Sequence, residues 1–288
     1  MAVFSNRATL SYNGITTDSN LVTGEIIESV SAAKEALASN YQADDIITYV
    51  ISIVNSGVGN YPMLTVTDDL GAFSAGTQTL VPLSYVDGSL RYYLDGVLQP
   101  TPTVSAGAPL VISGISLPAG GNAILVYRAT VNEFAPLAAG AFITNTATIT
   151  GTGTTTGCPF TPISISETVF AAEGARLSIA KALSPSTVTE CGEITYTFTI
   201  SNSGNTPAVA TDNVVLSDTF IPVLSNITVS LNGELLSEGT DYTYNEETGE
   251  FATVPGRITV PAATFTQGPD GEQIITPGVT VLTVVGTV

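Results

Sequence analysis

The sequence predicts an all-β chain of two tandem β-sandwich domains, the second one strand short, and three observations lead there. Thr, Val, Ile and Gly are abundant and only 11% of residues are charged, a mixture suited to strands and tight turns. Two long stretches repeat each other in order and spacing. The second repeat ends before its last strand, and the N-terminus carries a spare copy of that strand.

The composition sets limits on function. A chain of 288 residues holds two domains of about 100–150 residues, each with its own core. Its 44% hydrophobic content argues against disorder. A net charge of −18 repels nucleic acid and anionic membrane surfaces, so nucleic-acid binding is discounted. No apolar run reaches ~18 residues, so no membrane insertion is expected. The opening Met1-Ala2-Val3-Phe4-Ser5-Asn6-Arg7 shows no charged region followed by an apolar one, hence no visible signal peptide. The expected location is extracellular, on a cell or spore surface, with release from a lysing mother cell as one route out. Histidine is absent, which removes the commonest general base and metal ligand. No enzyme activity, metal or cofactor is therefore expected. Cys158 and Cys191 lack CxxC spacing; they form a disulfide, within or between chains, or stay as two thiols.

The repeats fix the elements. Lys34 precedes Tyr49 by 15 positions and Asn55 by 21, and Lys181 precedes Tyr196 and Asn202 by the same 15 and 21. After each Thr-Tyr runs a β-branched or alternating stretch that ends at Asn-Ser-Gly, which reads as a strand and turn. Leu64 to Asp68 then matches Val214 to Asp218, and Leu94-Asp95-Gly96 and Leu231-Asn232-Gly233 are hairpin-turn signals. Ile124 to Val131 aligns with Val281 to Val288, where the second repeat stops. The first continues with Phe142-Ile143-Thr144-Asn145-Thr146-Ala147-Thr148-Ile149-Thr150. Residues 4–12, Phe4-Ser5-Asn6-Arg7-Ala8-Thr9-Leu10-Ser11-Tyr12, repeat that pattern around Asn-x-Ala-Thr. The predicted organisation is a donor strand at 1–13, a linker at 14–23, an immunoglobulin-like repeat at 24–156, a linker at 157–175 and a second repeat at 176–288.

A sandwich missing one strand exposes an apolar groove and unpaired edges. A strand supplied from outside restores the ladder by donor-strand complementation. If the donor comes from another copy, the contact is head-to-tail and builds a fibre. If it comes from the same chain, the product is a closed monomer. The connector Asn13–Thr23 spans at most ~36 Å, which would force the two domains side by side, so the fibre is expected.

These repeats resemble the conserved repeat domain of prokaryotic surface proteins (domain of unknown function 11). Lys181, Pro185-Ser186, Tyr196, Asn202, Gly204, Asp218 and Pro222 match its pattern best. In the first repeat, Ser31–Asn40 lacks the proline and reads equally as a short helix. The resemblance spans about 250 residues and implies immunoglobulin-like repeats on surface proteins, without an activity.

Lys34 and Lys181 are the only lysines, at equivalent positions. Each is an ordinary exposed charge, or else a position that needs an amine rather than a guanidinium. An amine desolvated in an apolar core loses its proton and can attack a nearby Asn side chain. The pattern resembles the isopeptide-bonded domains of Gram-positive adhesins and pilins, where a first-strand Lys meets a last-strand Asn beside an acid. That resemblance implies Lys34 with Asn145 and Asp68 within the chain, and Lys181 with Asp218 and Asn6 of another copy between chains. The plainer alternative makes Asn6 and Asn145 ladder-capping amides, and Asp68 and Asp218 strand-end turn residues. Of Asp68 and Asp69 only one can face inward, because successive strand residues alternate.

The expected function is a structural subunit of a self-assembling surface filament, whose partners are further copies of itself. The alternative is a monomeric or wall-associated adhesin, for which Tyr85, Tyr92 and Tyr93 are the candidate ligand surface, though hairpin core packing accounts for them equally. The pairs Asp44/Asp45 and Asp68/Asp69 suggest glycosidase carboxylates only weakly, since such pairs usually form turns. The acidic loop Pro269-Asp270-Gly271-Glu272 is a candidate calcium loop without EF-hand spacing.

Overall fold

Alternation of side chains decides the sheets. In the strand Ile46–Asn55, Ile47, Tyr49, Ile51 and Ile53 all face the core and are at most 1% exposed. Asn122–Val131 pairs antiparallel along it and sets Tyr127 opposite Tyr49. A computed structural model describes residues 2–26, 30–153 and 161–288. The chain is all-β, with one 3-10 turn at Ala210–Asp212 among the described residues. It divides into two compact units, one of Met1–Ser39, Asp44–Asn132 and Ile143–Val169, the other of Asn40–Ala43, Glu133–Phe142 and Phe170–Val288.

In the first unit one sheet runs Val97–Gln99, Arg91–Leu94, Asn122–Val131, Ile46–Asn55, Val30–Ala36. The facing sheet runs Thr103–Ser105, Leu110–Leu117, Tyr61–Asp68, Phe142–Thr150, Ile163–Ala171. Gly114 has φ +84° at a register shift in Leu110–Leu117, a bulge that a residue with a Cβ adopts only under strain. The segment that read equally as a helix is the strand Val30–Ala36. Its buried residues, Val30 and Lys34, are four apart, a spacing that keeps one face in a helix and a strand alike.

The second unit repeats the first sheet as Leu177–Ser184, Glu193–Asn202, Gly278–Thr287, Ser225–Leu231, Glu234–Leu235. Register is conserved between the repeats: Lys34 lies opposite Ile51, and Lys181 lies opposite Phe198 at the equivalent place. The Asn-Ser-Gly turns are conserved too. Asn55 Nδ2 donates to the carbonyls of Gly59 and Pro118 at 2.7 and 2.8 Å. Asn202 Nδ2 does the same to Thr206 and Pro261 at 2.8 and 3.0 Å. The facing sheet of the second unit has only Ser217–Thr219, Glu250–Thr253 and Tyr242–Tyr244 in that order. Ser217–Thr219 therefore has one edge unpaired among the described residues, the edge that Phe142–Thr150 occupies beside Tyr61–Asp68 in the first unit.

Two segments expected as linkers are strands. Residues 14–23 form most of the returning arm of a hairpin: Thr9–Tyr12 pairs with Ile15–Asp18, and Ala2–Asn6 pairs with Val22–Ile26. The cause is Asn13-Gly14, both with positive φ (51° and 75°), the residues a two-residue hairpin turn demands. Within the expected linker 157–175, Ile163–Ala171 is a strand next to Phe142–Thr150, consistent with the period-two pattern of Ile163, Ile165 and Val169. The N-terminal hairpin leaves its apolar residues open: Phe4 is 56%, Leu10 64% and Tyr12 63% exposed.

The Asn13-Gly14 turn generates a prediction. Nothing lies within 4 Å of a Cβ built at Gly14, so Gly14→Val acts through backbone strain alone, about 1–2 kcal/mol for a β-branched residue at positive φ. Amide exchange across residues 9–18 should accelerate roughly tenfold while exchange in Ile46–Asn55 stays constant. Unchanged exchange in 9–18 would show that this turn does not hold the hairpin.

Candidate functional site

Alternation carries Lys34 into the first sandwich from one sheet, and Asp68 and Asn145 from the other. Asp68 lies opposite Ala147, which puts Asn145, two residues away, on the same inward face. Lys34 Nζ donates to Asp68 Oδ2 at 2.7 Å, and both side chains are 0% exposed. Tyr127 donates its hydroxyl to the same oxygen at 2.5 Å. Asn145 Nδ2 donates to the Tyr127 hydroxyl oxygen at 3.2 Å. A single chain of hydrogen bonds thus links lysine, acid, tyrosine and amide across the core. Asn145 Oδ1 and the Tyr49 hydroxyl are buried without a hydrogen-bond partner. Tyr49 stacks on Tyr127 with ring centroids 5.5 Å apart, and Lys34 Nζ lies 5.0 Å from the Tyr49 centroid.

Burial dominates the electrostatics. Desolvation pulls the Lys34 pKa below its ordinary 10.5, against the opposing attraction of Asp68. Desolvation also pushes the Tyr127 hydroxyl well above its ordinary range, reinforced by the adjacent Asp68 charge. Asp69 serves the backbone instead. Its Oδ1 accepts from the N–H groups of Gly71 and Thr146 at 2.8 and 2.9 Å, holding the strand end.

The second unit brings together Lys181 and Asp218, whose side chains form a short ion pair. Here the pair is open: the Lys181 side chain is 41% and the Asp218 side chain 20% exposed. Leu177, Ile179 and Leu183, in step with Lys181 along their strand, are 41%, 60% and 48% exposed, whereas Val30 in the first unit is 6% exposed. Beneath the lysine lie aromatic rings, Tyr196 at 4.6 Å, Phe198 at 5.3 Å and Phe220 at 5.5 Å from Nζ. The position equivalent to Tyr127 is Val284, paired with Tyr196 as Tyr127 is with Tyr49. The lysine and acid are therefore shared by both units, and the bridging hydroxyl is not.

Asn6 is exposed in the N-terminal hairpin, in register with Val22. Cys191 is exposed and outside any disulfide, and Cys158 lies outside the described residues. Of the tyrosines expected to form an adhesin surface, Tyr92 is buried and Tyr85 and Tyr93 are half-buried. Tyr92 is 5% exposed and donates to the Ser116 carbonyl at 2.6 Å, while Tyr85 lies against Tyr127 at 6.4 Å between centroids. Asp44 and Asp45 sit at a turn tied to Val131 through backbone bonds. Among the described residues, the loop around Asp270 and Glu272 included, no group of three or more acids or cysteines is placed to hold a metal ion. Sequence reasoning missed Tyr127. Its signal was a polar-tipped residue at a strand position where the other repeat has valine.

The difference in burial sets the expected cost of losing each acid. Asp68→Ala strands a buried lysine and should cost about 3–5 kcal/mol by chemical denaturation. Asp218→Ala, at the open pair, should cost less than ~1 kcal/mol. The pH dependence has a definite sign. In an Asn145→Ala background, where Lys34 is a free amine, the unfolded chain binds the lysine proton more tightly than the folded one. Stability should therefore climb as pH rises towards 10. Above that, Tyr49 and Tyr127 hold protons in the folded state that the unfolded chain loses, and stability should fall. Lys34→Met should abolish the climb; a climb that persists in it would assign the effect elsewhere.

No family model matches the chain, so its likeness to the conserved repeat domain remains a resemblance of motifs. Comparison with curated proteins also gives no match. Among solved structures the chain is similar to BcpA, the major pilin subunit of Bacillus cereus, at 13% identity over 96% of this chain and 73% of that one, TM-score 0.40. It is similar to domains D2 and D3 of the major pilin SpaD from Corynebacterium diphtheriae, at 10% identity over 85% and 88%, TM-score 0.39. It is also similar to the pilus backbone RrgB from Streptococcus pneumoniae, at 10% identity over 87% and 56%, TM-score 0.33. The similarity is one of general all-β architecture.

Proposed function

We propose that the chain is a structural subunit of a surface filament, the kind of role that those pilins carry in their names. Copies join head to tail: residues 4–12 of one copy complete the second unit of the next, and Lys–Asn isopeptide bonds lock each domain. The observation that carries this reading is the contrast between two equivalent lysine–acid pairs. One is sealed beneath a closing strand, and the other lies open with no such strand beside it among the described residues.

The donor fits residue by residue. In Phe142–Thr150 the buried residues are Ile143, Asn145, Ala147 and Ile149. Their counterparts are Phe4, Asn6, Ala8 and Leu10, apolar except for the asparagine, with Ser5, Arg7 and Thr9 between them. Covering a large apolar side chain contributes about 1.5–3 kcal/mol. Phe4, Leu10, Ile179 and Leu183 together supply several kcal/mol towards the cost of association. A second copy is the donor because residues 14–23, the stretch long enough to tether a strand back to its own chain, are the returning arm of the hairpin.

The cross-link chemistry uses the buried chain of groups. A proton passes from Lys34 to Asp68, leaving a neutral amine and a neutral acid, which burial favours. Nζ attacks Cγ of Asn145, and the protonated acid polarises the amide oxygen. The Cγ–Nδ2 bond breaks, Nδ2 departs as ammonia carrying a proton taken from the attacking Nζ and relayed through Tyr127, and Asp68 is left in the neutral, protonated form it held at the attack. Lysine amine plus asparagine amide gives one isopeptide bond and one ammonia. At the joint, Lys181, Asp218 and the incoming Asn6 take these roles without the tyrosine.

Intact mass tests the first bond. The monomer should lack one ammonia, and Lys34→Ala and Asp68→Ala should each restore it; a monomer of full mass removes the intrachain bond. Denaturing gels test the second. A ladder should survive boiling and reductant and should vanish in Lys181→Ala and in Asn6→Ala. A ladder that dissolves in reductant alone would assign the joint to the cysteines.

A further inference from the structure

The first unit does not end its sheet with Phe142–Thr150. Ile163–Ala171 lies beyond it, and small polar side chains join the two: Thr144 Oγ1 to Thr168 Oγ1 at 2.9 Å, and Thr148 Oγ1 to Ser164 Oγ at 3.2 Å. The partners step in opposite directions, as antiparallel neighbours do. The unit is thus closed by two strands rather than one.

The N-terminal hairpin carries comparable polar pairs at the corresponding places, although its register shifts by one residue between Asn6↔Val22 and Thr9↔Asp18, a shift absent between Thr144–Thr168 and Thr148–Ser164. With Asn6 aligned on Asn145, Ser5 corresponds to Thr144 and Thr9 to Thr148. Ser5 faces Thr23 across the hairpin, a hydroxyl pair like Thr144 and Thr168. Thr9 Oγ1 donates to Asp18 Oδ1 at 2.8 Å, the counterpart of Thr148 and Ser164. In both cases the second arm leads directly into a lysine strand, Val22–Ile26 into Val30–Ala36 and Ile163–Ala171 into Leu177–Ser184. Among the described residues the first arm is paired on one edge only, and Ser217–Thr219 likewise has one unpaired edge.

We propose that the element donated to the second unit of another copy is the whole Ala2–Ile26 hairpin. Its first arm takes the place of Phe142–Thr150 and its second arm that of Ile163–Ala171. This rests on the donor-strand reading above and deepens it. The donor docks preformed, adding its free edge to Ser217–Thr219, and no strand is peeled away first. The joint between copies is then built from the same two strands that close the first unit within a copy.

Hydrogen exchange on full-length protein, as monomer and as fibre, separates the outcomes. The proposal expects amides of both 4–12 and 15–26 to exchange about 100-fold more slowly in fibres than in monomers. Slowing confined to 4–12, with 15–26 as fast as in the monomer or faster, overturns the hairpin while leaving strand donation intact. No slowing in 4–12, or no assembly, overturns strand donation and this proposal with it. A locked hairpin gives an independent measurement. Ser5→Cys with Thr23→Cys places a disulfide across a directly paired position, in a background where Cys158→Ser and Cys191→Ser remove the native thiols. Oxidised and reduced forms should polymerise at rates within about twofold of each other. Polymerisation only after reduction would show that the arms must separate, and the proposal would fall.

Discussion

A lysine can sit inside a β-sandwich only where an acid meets it and a strand covers it. The first unit satisfies both conditions. Asp68 supplies the counter-charge, Phe142–Thr150 supplies the cover, and neither lysine nor acid retains solvent contact. An uncompensated buried ammonium costs several kcal/mol, so acid and closing strand are jointly required. Lysine strand, acid strand and closing strand must then keep fixed register, because a slip of one residue would turn the charged groups outward.

The second unit keeps the register and loses the cover. Lys181 and Asp218 find each other across the same two sheets, over an aromatic floor of Tyr196 and Phe220 that pack 5.0 Å apart. The core below remains closed, with Phe220, Phe251, Leu282 and Val284 at most 2% exposed. What opens is the strip along Leu177–Ser184, every residue of which is exposed. The opening is therefore local. It leaves a folded unit with one apolar strip and one free edge, a condition soluble proteins usually block.

Much of this was legible in the sequence, because lysine spacing and period-two alternation directly encode register and face. The two lysines, both acids and Asn145 could be assigned to strands from the repeats alone. Two parts were not legible. Residues 14–23 contain few apolar residues, and their strand character depends on the Asn13-Gly14 turn pairing them with 4–12, a non-local effect. Tyr127 aligns with Val284, and a search for features shared by the repeats passes over a residue whose signal is that it differs. Its role emerges only when Asp68 and Asn145 are seen to need a common partner.

The difference at Tyr127 and Val284 separates two kinds of closure. In the first unit the closing strand belongs to the same chain, so the lysine, acid, hydroxyl and amide are assembled by folding itself. The desolvation that weakens the hold of Lys34 on its proton is present once the unit folds. In the second unit no strand seals the pair among the described residues, and solvent reaches both lysine and acid. On the proposed reading, a docking strand would bring two things together, the asparagine and the exclusion of water. On that reading, covering the pair with an apolar element would make the covalent step follow recognition, because the groove would reach a reactive environment only when correctly filled.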